Sequence, residues 1–185
     1  MEKPTENCES SECFPAKVAN LNRRDFLFGS GAAVISISLP MIGQADVIRK
    51  EYPRKKIGKL SELNTNKPIA FRYPWDHENA ENYLVKLKET AGGGIGKEKN
   101  VVAFNGLCTH QGATLSGDFD AEEGIAGPCS MHWTTFDLTR HGMVITGHAT
   151  ASLPQIMLEP EGDDIYAVGI QGLVFGFHDN LVQPE

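Results

Sequence analysis

The sequence is poor in cysteine, in aromatic residues and in long apolar runs. It has four cysteines among 185 residues, and 8% of its residues are aromatic. Four cysteines are too few for a disulfide-stapled scaffold, although they suffice for one bridge or one metal site. The moderately apolar stretch Phe26–Ile42 is interrupted by glycines and serines. It therefore falls short of the roughly 20 strongly apolar residues of a membrane span.

Basic residues are also in deficit. The chain has 17 lysines and arginines against 24 acidic residues, which gives a formal net charge of −7. Nucleic acid is bound by basic surfaces, so this balance excludes it as the expected partner. No long helical period is present, whereas glycine is abundant, with 19 residues. Both observations favour a turn-rich β protein.

Short apolar runs separated by turn residues predict an all-β fold. The predicted strands are 68–73, 82–88, 100–104, 134–138, 143–146, 155–159, 164–170 and 173–177. Gly92–Gly96 is predicted to be a loop between two strands. Gln171–Gly172 is predicted to be the hairpin turn before the last strand.

The first 45 residues are predicted to be an export segment. The stretch Asn22–Leu27 resembles the twin-arginine (Tat) motif, in which an arginine pair precedes x-Phe-Leu. Phe26–Ile42 then fits the apolar region of a signal, and Gly43–Ala45 offers small residues for cleavage. We expect residues 1–45 to direct export to the periplasm. Attachment to the membrane is expected only if this segment is retained as an anchor.

Removing residues 1–45 changes the composition of the chain. The remainder has 13 basic and 19 acidic residues, a net charge of −6, and two cysteines. Residues 46–66 are predicted to form an extended arm, and residues 67–185 the folded domain.

Each remaining cysteine lies close to a histidine. Cys108 and His110 form a C-x-H pair, and Cys129 and His132 form a C-x-x-H pair. Three structures could use these residues. They are a disulfide, a mononuclear Cys2His2 zinc site, and a [2Fe–2S] cluster with the cysteines on one iron and the histidines on the other. The spacing favours the cluster, because zinc sites usually pair like ligand with like.

These two motifs resemble the cluster-binding loops of Rieske iron–sulfur proteins. Further stretches are similar to the small Rieske subunit of arsenite oxidase, and the small subunit of iodate reductase is a close relative with the same architecture. The stretches are Phe71–Pro74, Tyr83–Leu87, Gly93–Gly96, His132–Asp137, Gly147–Pro154 and Ala167–Leu173.

The resemblance implies a Rieske iron–sulfur fold, an antiparallel β-sandwich or barrel with a small cluster-binding subdomain at about residues 105–150. It implies a [2Fe–2S] cluster bound by Cys108, His110, Cys129 and His132. Around these ligands we expect Gln111, Gly112, Met131, Thr134 and Phe136. His141 and His148 are expected either at the surface or beside the ligands.

The resemblance also implies a partner and a role. The partner would be a large molybdopterin oxidoreductase subunit that carries a further iron–sulfur cluster and performs the substrate chemistry. This chain would have no catalytic residue of its own. It would pass electrons between that subunit and a cytochrome c-like carrier in the periplasm. Arsenite oxidase is the first expectation for the complex, and iodate reductase is the alternative.

Two departures from the wider Rieske pattern are visible. Many members carry two further cysteines that link the cluster loops, at the positions of Ala113 and Met131 here. Their absence disfavours a third reading, the Rieske subunit of a quinol–cytochrome c reductase. The second departure is Phe136, which stands where respiratory-type members have a tyrosine that donates a hydrogen bond to a cysteine sulfur.

The Phe136 departure predicts a lower reduction potential than that of quinol-oxidising Rieske proteins. A hydrogen-bond donor stabilises the more negative, reduced cluster, and phenylalanine cannot donate. Phe136→Tyr is therefore expected to raise the potential in protein-film voltammetry. A potential that stays the same or falls would contradict this account.

Overall fold

Antiparallel strands dominate the computed structural model, which describes residues 51–65 and 67–182. The described residues contain ten strands and three short 3₁₀ turns, so the predicted all-β fold is confirmed. The strands are β1 Lys55–Lys59, β2 Ile69–Arg72, β3 Glu81–Lys86, β4 Val101–Asn105, β5 Phe119–Asp120, β6 Ile125–Ala126, β7 Thr135–Asp137, β8 Met143–Thr146, β9 Gln155–Glu161 and β10 Asp164–Gln171. The 3₁₀ turns are Leu60–Glu62, Glu78–Ala80 and Leu138–Arg140. The predicted export segment lies outside the described residues.

The strands form two sheets. The first has six strands in the order β1-β10-β9-β4-β3-β2, and the second has four in the order β5-β6-β7-β8. The chain leaves the first sheet after β4, builds the second sheet, and returns at β9. Both Cys–His motifs lie on this excursion, within the range expected for the cluster-binding subdomain. No helix among residues 51–65 and 67–182 has the length and apolar content needed to cross a membrane.

Strands β3 and β4 are buried on both faces, because alternate side chains enter two different clusters of buried residues. The first cluster contains Tyr83, Val85, Val102 and Phe104, together with Phe119 and Phe136 of the second sheet and both cysteines. The second contains Leu84, Val101 and Ala103, together with Ile156, Ile165 and Ala167. The Cys–His loops are therefore packed on the most deeply buried strands of the first sheet.

Strand β1 differs from the prediction, which placed this segment in an extended arm. It pairs antiparallel with β10 as an edge strand of the first sheet. Its basic residues made it look like a linker, but two basic side chains of this segment pair with acids of β10 and β9. Lys56 lies 2.6 Å from Asp164, and the preceding Arg54 lies 2.7 Å from Glu161. Basic side chains on an edge also discourage pairing with other chains.

Seven of the eight predicted strands are present within two residues of their predicted ends, but the strand at 173–177 is absent. Gly172 and Gly176 both have positive φ, which bends the chain away from an extended path. The Asn180 side chain accepts a hydrogen bond from Val174 N–H at 3.0 Å and donates one to the Gly172 carbonyl at 2.8 Å. A side chain thus satisfies backbone groups that a neighbouring strand would otherwise pair. Gln171–Gly172 is accordingly not a hairpin turn.

A buried asparagine holds the end of β4, where the chain enters the first Cys–His loop. Asn105 has no exposed surface, and its amide donates to the carbonyls of Asn79 and Glu81 at 3.0 and 3.1 Å. Its side-chain oxygen accepts from Leu107 N–H at 3.1 Å. The side chain therefore fixes the backbone immediately before Cys108.

Asn105→Ala is expected to lower the free energy of unfolding by about 2–3 kcal/mol, because it leaves buried donors and acceptors without partners. Urea unfolding followed by circular dichroism measures the change. The exposed Asn64→Ala is the matched control, with an expected effect within about 0.5 kcal/mol. Equal stability of the two variants would show that the buried network contributes little.

Candidate metal centre

Two tight loops carry the Cys–His motifs. Loop 1, residues 107–114, is closed by two backbone hydrogen bonds. Cys108 N–H donates to the Ala113 carbonyl at 2.8 Å, and Gly112 N–H donates to the Cys108 carbonyl at 2.9 Å. A bridge between Leu107 and Thr114 joins the two ends of the loop.

Loop 2, residues 128–134, closes with the same pair of bonds. Cys129 N–H donates to the Thr134 carbonyl at 2.8 Å, and Trp133 N–H donates to the Cys129 carbonyl at 2.9 Å. The cysteine therefore occupies the same position in both loops, whereas His110 comes two residues after its cysteine and His132 three. The two motifs are variants of one backbone loop.

Both cysteines are buried and unbridged. Cys108 and Cys129 each expose 1% of their surface, and each is a free thiol in the first core cluster, beside Phe136. The structure thus has no Cys108–Cys129 disulfide, which was one of the alternatives for this pair.

Burial raises the pKa of the Cys108 thiol, and the neighbouring Cys129 thiol raises it further. The His110 backbone N–H and the Thr134 hydroxyl both lower this pKa, because they donate hydrogen bonds toward the sulfur. Thr134 is itself buried, and its oxygen accepts from the N–H groups of His148 and Ala149 at 3.2 and 3.4 Å.

The two motif histidines lie next to each other. The ring centroids of His110 and His132 are 4.6 Å apart, with the rings almost perpendicular. The His110 Nδ1 atom is buried and has no hydrogen-bond partner. Burial lowers the pKa of His110, and so does electrostatic repulsion from His132 and His148. This direction favours the neutral imidazole, and the buried nitrogen without a protein partner suits an imidazole ligand.

These donors fit a two-iron cluster better than a single metal ion. In residues 51–65 and 67–182, no three histidine, cysteine, aspartate or glutamate side chains converge on one metal position. A Cys2His2 zinc site needs four such side chains around one point. A [2Fe–2S] cluster of the Rieske type instead separates the two thiolates from the two imidazoles. The two buried thiols and the unpartnered His110 nitrogen suit that division.

The residues predicted to surround the ligands divide into buried and exposed groups. Thr134 and Phe136 are fully buried, whereas Gln111 is exposed and Met131 exposes 54% of its surface. Gly112 has a φ of +71°, and a Cβ atom there would collide with the Phe175 ring. A glycine is therefore required both by the backbone turn and by close packing.

Three further residues contact this centre. His148 was expected at the surface or beside the ligands, whereas Thr109 and Phe175 were not identified from the sequence. The His148 ring lies 5.6 Å from that of His110 and 6.1 Å from that of His132, so it completes a group of three imidazoles. Phe175 packs on loop 1 from a segment predicted to be a strand. The Thr109 hydroxyl donates to the carbonyl of Ala151, 42 positions along the chain, at 2.7 Å. Such long-range contacts leave no local pattern in the sequence.

Known proteins support this assignment of the fold and the cluster. The sequence profile of the Rieske [2Fe-2S] domain matches residues 55–157. The chain is 54% identical to iodate reductase subunit IdrB of Denitromonas iodatirespirans over 164 residues, which cover 88% of each chain. It is also 54% identical to the IdrB subunit of Pseudomonas sp. strain SCT, over 90% of this chain and 88% of that one.

A solved structure agrees at the level of the fold. The soluble domain of Rieske protein II from Sulfolobus acidocaldarius superposes with a TM-score of 0.58 at 21% identity, covering 69% of this chain and 82% of that one. The chain belongs to the Rieske [2Fe–2S] protein family.

Proposed function

We propose that this chain is the electron-transfer subunit of a periplasmic iodate reductase, with its Rieske cluster bound by Cys108, His110, Cys129 and His132. The observation that carries the ligand set is the donor geometry. Two buried, unbridged thiols lie on equivalent loops, beside two adjacent imidazoles, one of which has an unpartnered buried nitrogen.

Iodate is preferred to arsenite as the substrate of the complex. The sequence motifs placed arsenite oxidase first and iodate reductase second. Two relatives at 54% identity, each matched over nearly nine tenths of its length, are both iodate reductase subunits. The names of these two relatives support placing iodate reductase before arsenite oxidase. Because iodate would be reduced, electrons would flow from the carrier through this chain to the catalytic subunit.

The bound cluster supplies one-electron redox chemistry. The sulfurs of Cys108 and Cys129 are buried away from water, which strengthens electrostatic interactions around them. The Thr134 hydroxyl and the His110 backbone N–H lower the pKa of the Cys108 thiol, and donors at this sulfur would favour the more negative, reduced state. His110 and His132 are only partly buried, so their rings give electrons a short route to the surface.

The surface around loop 2 suits a protein partner. Met131 and Trp133 flank His132 in the sequence and expose 54% and 72% of their surface. Adjacent exposed apolar side chains are typical of a docking site. The partners we propose are a large molybdopterin subunit with its own iron–sulfur cluster and a cytochrome c-like carrier. Substrate chemistry would belong to that large subunit, and no residue of this chain is proposed as catalytic.

The ligand set is tested by EPR spectroscopy of the dithionite-reduced full chain. We expect the spectrum of a reduced [2Fe–2S] cluster in the wild type and its loss in Cys108→Ser and His132→Ala, because each variant removes one iron ligand. His178→Gln, at an exposed histidine, is the matched control and should keep the signal. A full signal in either ligand variant would contradict the assignment.

The substrate is tested on the purified complex. With a reduced cytochrome c-type donor, the complex is expected to reduce iodate at least about tenfold faster than it oxidises arsenite with the oxidised carrier. In the Cys108→Ser complex this iodate activity should be lost, while a small artificial donor that reaches the large subunit directly should still support it. A complex that oxidises arsenite but leaves iodate unchanged would overturn the substrate assignment.

A further inference from the structure

The two cluster loops of this chain have no covalent link. Ala113 and Met131 stand at the positions where many Rieske proteins carry the cysteines of a loop-to-loop disulfide. Loop 1 and loop 2 must therefore be held in register by noncovalent contacts.

A third segment contacts both loops. We call residues 147–151, between β8 and β9, the strap. On one side, the Thr109 hydroxyl of loop 1 donates to the Ala151 carbonyl of the strap at 2.7 Å. On the other side, the backbone N–H groups of His148 and Ala149 donate to the Thr134 hydroxyl oxygen at the end of loop 2, at 3.2 and 3.4 Å.

The side chain of His148 adds a second set of contacts to both loops. Its ring stacks on His110 with centroids 5.6 Å apart and an interplanar angle of 28°. It meets His132 edge-on at 6.1 Å, and its Nδ1 atom lies 3.3 Å from the His132 carbonyl oxygen. One side chain thus borders both outer imidazoles.

The backbone of the strap fits tightly against loop 2. Gly147 has a φ of +104°, and a Cβ atom there would collide with the Thr134 backbone. The strap also joins the two sheets, because β8 belongs to the four-stranded sheet and β9 to the six-stranded one. Just beyond the strap, Leu153 N–H donates to the Gly142 carbonyl at 2.8 Å, and Asn105 N–H donates to the Pro154 carbonyl at 2.9 Å. Its C-terminal end is therefore fixed to the framework.

We propose that the strap holds loop 1 and loop 2 together in place of the missing disulfide. It joins loop 1 through Thr109 to loop 2 through Thr134, and it sets the relative orientation of the His110 and His132 rings through His148. Thr109 and His148 are then positioning residues, acting through the ligands. This inference rests on the proposed ligand set.

The first test removes the hydroxyl of Thr109 in the full chain carrying its cluster. Thr109→Val is expected to lose the visible absorption of the cluster about fivefold faster than the wild type in the presence of an iron chelator, because one clamping hydrogen bond is gone. Thr109→Ser keeps the hydroxyl and should restore the wild-type rate. Thr90→Val is the matched control, since it removes a hydroxyl that donates to the Glu98 carbonyl at 3.0 Å, outside both cluster loops and the strap.

A covalent rescue tests whether clamping is the reason. Adding Ala113→Cys and Met131→Cys to Thr109→Val should return the rate of cluster loss to the wild-type value under oxidising conditions. The rate should rise again once a thiol reductant opens the new disulfide. A purely local effect of the valine would not respond to the disulfide, and such a result would overturn the clamping role.

Spectroscopy tests the orientation of the imidazoles. His148→Ala is expected to shift the EPR g values of the reduced cluster, because the His110 and His132 rings lose their common neighbour, whereas His178→Ala should leave them unchanged. Wild-type g values in His148→Ala, or wild-type rates of cluster loss in Thr109→Val, would overturn the proposed role of the strap. A wild-type chain with no [2Fe–2S] signal would instead overturn the proposed ligand set, so the two failures are distinguishable.

Discussion

Two thiols are buried side by side without being joined, and this constraint shapes the rest of the centre. Burial opposes the ionised form that a metal requires, which is why the pKa of Cys108 is raised. The protein offsets this cost with donors aimed at the sulfur, a backbone N–H from His110 and the hydroxyl of Thr134. Those donors lie on loop 1 and loop 2, so they act on the sulfur only while both loops keep their positions. The rest of the domain therefore serves mainly to fix the two loops.

Both sheets support the two loops, each in a different way. Strands β3 and β4 are covered on both faces, and this makes them a rigid base for the loops. The second sheet contributes Phe136 to the cluster of buried residues that encloses the cysteines. The side chain of Asn105, the last residue of β4, donates to the Glu81 carbonyl at the start of β3. This bond fixes the backbone where loop 1 leaves the first sheet.

Local features of the sequence predicted the all-β class, most strands and the two Cys–His loops, since each depends on residues close together in the chain. Two of the missed features depend on residues far apart in the chain, and the third on a side chain that replaces a neighbouring strand. Strand β1 was missed because its pairing with β10, and the ion pair between Lys56 and Asp164, join residues about 100 positions apart in the chain. The expected strand at 173–177 was wrong because Asn180, a few residues further on, satisfies its backbone groups. The contact between Thr109 and Ala151 spans 42 positions and has no local pattern.

The Thr134 hydroxyl has a further consequence. Its oxygen accepts from the backbone N–H groups of residues 148 and 149, and the hydroxyl lowers the pKa of the Cys108 thiol. Hydrogen bonds in such a chain polarise one another, so a group that accepts strongly also donates strongly. A displacement of residues 148 and 149 at the surface would therefore weaken the bond at the sulfur as well. The backbone contacts of residues 148 and 149 and the acidity of the Cys108 thiol are therefore linked through a single oxygen atom.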